Sequence, residues 1–156
     1  MEKLTQIIEK ILQEIQWEYK LYRLEDNNSF ELQLQVGDNT PTHININIID
    51  IEERFYGYEI VCTKREKLPS DFIPNGILLA NRFNADYSHV NCAIDNDGTI
   101  LFIGSRSIRK DINRDDLLFD ISETVKACDS NTQAMIETAT CSNEIDMTST
   151  SSFELI

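Results

Sequence analysis

The chain has 156 residues, 14 Lys and Arg against 27 Asp and Glu, and a formal net charge of −13. Area scaling for 18.0 kDa gives roughly 8,000 Å² of folded surface against about 26,000 Å² unfolded, enough burial for one self-sufficient domain. Excess negative charge disfavours nucleic acid, and Glu2, Glu9 and Glu14 interrupt any apolar run near the N-terminus, so neither a membrane span nor a signal peptide is expected and a cytoplasmic location is.

Residues 2–24 predict an amphipathic helix, with Leu4, Ile7, Ile8, Ile11, Ile15, Tyr19 and Tyr22 recurring at three- and four-residue steps. Glu25-Asp26-Asn27-Asn28-Ser29 predicts a turn. Three strands follow. Phe30, Leu32, Leu34 and Val36 alternate with Glu31, Gln33 and Gln35, and Ile44, Ile46 and Ile48 alternate with Asn45 and Asn47. The phase slips at Ile48-Ile49, which predicts a bulge or bend there. The third strand runs from Phe55 to Lys64, with Tyr56, Tyr58, Ile60 and Cys62 on one face, and leads into a short basic patch, Lys64-Arg65-Glu66-Lys67.

Pro74 suits the first turn of a helix continuing to about residue 85. A hairpin comes next, with Val90, Cys92 and Ile94 on one strand, Asp95-Asn96-Asp97-Gly98 as the turn and Thr99 to Ser105 returning. Asn113 is a good N-cap for a last helix running to about residue 137, with a break possible at Asp129-Ser130-Asn131. Residues 138–156 are Ser/Thr-rich and acidic and predict a flexible tail. The order is αβββαββα, an α+β domain over residues 1–137 with an antiparallel sheet and helices on one face.

No motif here announces catalysis. Asp95-Asn96-Asp97-Gly98 resembles the start of a calcium loop, but the twelfth position falls on Arg106, so a hairpin turn is the better reading. His43 and His89 stand alone near strands, without the companions of a triad or a zinc site. Cys62, Cys92, Cys128 and Cys141 form no CxxC pair, and the parity of Cys62 and Cys92 predicts buried, inert thiols. Asp115, Asp116 and Asp120 could supply paired carboxylates at i, i+4, but a helix start explains two of them better, and the basic strip Arg106, Arg109, Lys110 and Arg114 balances Asp111, Asp115 and Asp116. No catalytic residue, cofactor or metal is predicted. Residues 25–60 carry eight acids against Arg54 alone, which suggests a surface that could receive a basic partner through Glu52 and Glu53.

At Asn81-Arg82-Phe83-Asn84, Val90 to Ile94, Asp97-Gly98-Thr99-Ile100 and the helix from Asp115 to Met135, the chain resembles the YbjN family of bacterial proteins, over about residues 3–137. That resemblance implies a fold like that of type III secretion chaperones, with Asn81 and Asn84 bracing the join between helix and hairpin. It also implies a non-enzymatic, chaperone-like or adaptor role in binding another polypeptide, as a homodimer. Two other readings stand beside it: an acidic immunity protein or inhibitor of a basic enzyme, and an enzyme with an unrecognised site.

Overall fold

The structure, a computed structural model, describes residues 3–23, 28–51, 54–87, 89–109 and 111–141. The element order is α1 (Leu4–Glu14), β1 (Lys20–Arg23), β2 (Asn28–Leu34), β3 (Thr42–Ile51), β4 (Phe55–Thr63), a 3₁₀ turn (Ser70–Phe72), α2 (Ile73–Asp86), β5 (Asn91–Ile94), β6 (Ile100–Ser107) and α3 (Arg114–Cys141). The strands form one antiparallel sheet in the order β1-β2-β3-β4-β6-β5. The fold is therefore α+β, as the hydrophobic patterning predicts, but with six strands instead of five.

The extra strand is β1, and it comes out of the stretch predicted as the second half of the first helix. That helix stops at Glu14 because the chain turns left-handed at Gln16, with φ of 60°. Trp17 N–H then donates to the Leu12 carbonyl (3.0 Å) and Gln16 N–H to the Gln13 carbonyl (3.1 Å). These two bonds make a Schellman cap, which usually carries glycine at the left-handed position. Beyond it, Lys20 to Arg23 alternate across the sheet opposite Glu31 to Asn28. Of the predicted turn over Glu25–Ser29, Asn28 and Ser29 belong to β2, and residues 25–27 lie outside the described residues.

The register carries the dry face from strand to strand. Phe30, Ile46, Ile60 and Gly104 form one cross-strand row, and Leu32, Ile44, Cys62, Phe102 and Cys92 form the next. Every one of these residues is buried. The opposite face presents Glu31, Asn45, Asn47, Glu59 and Ser105, each half-buried or exposed. No bulge interrupts β3. Ile48 pairs with Tyr58, Ile49 with Gly57 and Ile51 with Phe55 in unbroken register. The phase slip arises because Ile49 and Ile51 are apolar residues on the wet face, where Ile51 is exposed.

All three helices pack on the dry face. α1 contributes Leu4, Ile8, Ile11 and Leu12 to the same core as the sheet, and Asn28 Nδ2 donates to Thr5 Oγ1 (2.8 Å). α3 crosses β6, β4 and β3. It comes closest at Gly104, where a Cβ would stand 2.5 Å from Thr124 Oγ1, so glycine sets the line of that crossing. α3 is capped as predicted, with Asp116 N–H donating to Asn113 Oδ1 (2.8 Å). It runs unbroken through Asp129-Ser130-Asn131, since Asn131 and Thr132 bond the carbonyls one turn back and face the core. It also passes the predicted end at residue 137. Ala139 is buried and its carbonyl accepts from Asn75 Nδ2 of α2 (3.0 Å), which holds the last turn in place. The remainder of the predicted tail, residues 142–156, lies outside the described residues.

Candidate functional site

The two edges of the sheet differ. At β5, Cys92 N–H donates to Asn84 Oδ1 (2.6 Å) and Asn84 Nδ2 donates to the Cys92 carbonyl (2.9 Å). One side-chain amide thus stands in for a neighbouring strand, which closes that edge to pairing. Asn84 braces the helix-to-hairpin join, as the resemblance implies; Asn81 is exposed. At the other side, residues 18–20 and 31–33 line one cavity of about 380 Å³.

Next to that edge, on the helix side of the sheet, lies an apolar groove of about 760 Å³. One wall is Trp17, Leu34 and Val36. The other is α3, through Leu118, Ile121, Val125, Lys126 and Asp129. The Schellman cap delivers Trp17 to this place: the reversal at Gln16 takes it off the line of α1 and sets it beside the end of β2. Val36 is 48% exposed, so apolar surface faces solvent at the rim. Trp17 falls outside the apolar stripe predicted for α1.

At its Asp129 end the groove meets a second cavity, of about 280 Å³, lined by Asp38, Thr40, Lys64, Glu66, Thr132 and Gln133. Lys64, the first residue of the basic patch Lys64-Arg65-Glu66-Lys67, is buried and ion-paired with Asp129. Lys64 Nζ donates to the Thr40 carbonyl (2.5 Å), and Thr42 Oγ1 donates to Asp129 Oδ1 (2.9 Å). Even parity along β4 directs Lys64 to the dry face, where only a buried carboxylate makes its charge tolerable. Of the same patch, Lys67 pairs with Asp97 in the hairpin turn (2.8 Å), and hydrogen bonding shared with Asp95, then donated by Lys67 and Thr99, holds the Asp97 carboxyl well below its usual range.

The other candidates do not line the groove. Arg106 clasps Asp120 through Nε (2.5 Å) and Nη2 (2.9 Å), with Asp116 at 3.8 Å. Tyr58, fully buried, donates its hydroxyl to the same Asp120. Burial first, and then that bond, push the Tyr58 phenol far above its usual range. His89 is exposed at a cavity of about 170 Å³ beside this cluster, and His43 shares a hydrogen bond with Gln33 (3.0 Å) on the wet face. Cys62, Cys92 and Cys128 are buried, and Cys141 is exposed. Among the described residues no group of three His, Cys, Asp or Glu is placed to hold a metal ion, and no helix is long and apolar enough to cross a membrane. Glu52, Glu53 and Lys110 lie outside the described residues.

No family model matches the sequence, and no curated protein matches it. In three dimensions the chain is similar to the crystal structure of YbjN from E. coli, a protein described as a proposed transcription regulator. The match has a TM-score of 0.53 at 10% identity and covers 88% of each chain. The fold is therefore YbjN-like, in agreement with the resemblance read from the sequence.

Proposed function

We propose that this protein is a non-enzymatic adaptor or chaperone-like factor that holds a segment of another polypeptide, working in the cytoplasm as a homodimer. The observation that carries this reading is the groove between Trp17, Val36 and α3, an apolar channel that opens to solvent on the helix side of the sheet. Such channels are where apolar anchors of a partner lose water, and burial is worth about 25 cal/mol per Å² of apolar surface removed. The polar groups nearby support the same view. Lys64 with Asp129, and Arg106 with Asp120, neutralise each other and supply shape and charge instead of a poised acid or base. A regulator or chaperone works by association, and likeness to YbjN fits that class.

The test is photocrosslinking in cells. A benzophenone amino acid at Val36 is expected to give discrete polypeptide adducts, whereas the same probe at exposed Ile77 on α2 gives none above background. Equal labelling at the two positions would refute polypeptide capture by the groove. Light scattering on the purified chain tests the dimer, and a monomer at micromolar concentration would remove it.

A further inference from the structure

We infer that the occupant of the groove is an amphipathic helical segment with a basic end, an inference that rests on the polypeptide-binding reading and makes it specific. Three features of the groove point to it: length, wall chemistry and charge.

Leu118, Ile121, Val125 and Asp129 recur at three- and four-residue steps on α3, so this wall is straight and about 17 Å long. Three turns of a partner helix match that length. An extended segment would need backbone partners along the groove. Of the walls, α3 offers none, since it spends its backbone bonds internally, and the outer edge of β2 beyond Glu31, which no described strand pairs, borders the neighbouring cavity at Leu32 and Gln33. A helix brings its backbone already bonded and presents only side chains, the helix-in-groove mode of recognition.

Charge sets the polarity of the guest. The groove ends in the cavity lined by Asp38 and Glu66. Lys64 is matched by Asp129, neither Asp38 nor Glu66 has an ion-pair partner among the described residues, and the exposed Lys126 on the α3 wall offsets one of these two acids. A net negative mouth at the end of an apolar channel suits a Lys or Arg at the end of an apolar helix. The net charge of −13 steers such a segment in from solution. The same charge disfavours this chain's own residues 142–156, which hold Glu144, Asp146 and Glu154 and no base.

The experiment uses the full chain and the emission of Trp17, its single tryptophan. Four synthetic 14-residue peptides free of Trp and Tyr are titrated at low salt. Two have Leu at helical spacing with three Lys at one end, N-terminal in one and C-terminal in the other. The third has the same composition in strict alternation, and the fourth replaces Lys with Glu. One helical basic peptide is expected to bind about tenfold or more tighter than the alternating and acidic ones, with a gain of helical circular dichroism. The double charge reversal Asp38→Lys/Glu66→Lys should weaken it about tenfold and admit the acidic peptide, and Val36→Glu should abolish both. Equal affinity for all four peptides, or no effect of the charge reversal, overturns this inference. If adducts still form at Val36 in cells, polypeptide binding survives that result; if they do not, both readings fall.

Discussion

Replacing Lys64 with methionine is expected to destabilise the protein by about 3–5 kcal/mol, a large share of a small domain's total. The magnitude follows from the surroundings of the pair. The Lys64 and Asp129 side chains are 5% and 10% exposed. Without the ammonium, the Asp129 carboxylate keeps the Thr42 hydroxyl, at 2.9 Å, and the little water that reaches its 10% exposed side chain from the groove mouth. Asp129→Leu strands Lys64 on the Thr40 carbonyl and should cost a similar amount. The double variant Lys64→Met/Asp129→Leu buries no charge. Its remaining penalty is the lost partners of the Thr40 carbonyl and Thr42 hydroxyl, about 1–3 kcal/mol, partly offset by apolar packing. A double-mutant cycle read by urea unfolding at constant m-value should therefore show coupling of about 3 kcal/mol or more. Single variants each costing under about 1 kcal/mol, or a double variant equal to the sum of the singles, would refute the account of a buried, mutually dependent pair.

Gln16→Gly should stabilise the protein by about 0.5–1 kcal/mol in thermal or urea unfolding, because a left-handed residue with a Cβ costs about 1–2 kcal/mol and glycine's chain entropy returns part of that; loss of stability would mean the cap is not formed. Gly98→Ala should cost about 2 kcal/mol or more, since φ is 91° and an added Cβ would stand 2.2 Å from the Leu68 carbonyl oxygen, and an unchanged melting temperature would contradict the turn geometry. With a thiol reagent at pH 8, native protein should release one equivalent from Cys141 and three more only on unfolding. Burial pushes Cys92 up to about 12 and Cys128 to about 11, and Cys62 up as well. Unfolded thiols ionise near pH 8.5 while these stay protonated, so stability should fall as pH rises above about 9, and a flat alkaline profile would contradict the burial.

The strands of the middle of the chain were readable residue by residue. Alternation from Phe30 to Ile48 and from Tyr58 to Cys62 names the dry face correctly, and Asp97-Gly98 marks the hairpin, because parity and turn chemistry are local properties of the backbone; Tyr56, on the same parity, is exposed. The C-terminal helix was legible through its Asn113 cap. The failures have physical causes too. Ile15, Tyr19 and Tyr22 keep helical spacing with Ile11, yet the cap at Gln16 ends the helix without the glycine that normally signals it. Ile49 and Ile51 mimic a phase change because they are apolar on the wet face. Lys64 looks like surface charge until Asp129, 65 positions later, is brought against it.

Local chemistry thus settled the strands from Phe30 to Cys62, the hairpin, the start of the last helix and that the whole is acidic: these depend on residues within a few positions of one another. The groove belongs to tertiary structure alone. Trp17, Val36 and Val125 come from a helix cap, a turn and the middle of α3, and only packing of α3 across Gly104 brings them to face one another. Side-chain periodicity reports which face an element buries, and carries no record of which distant element will come to stand opposite it.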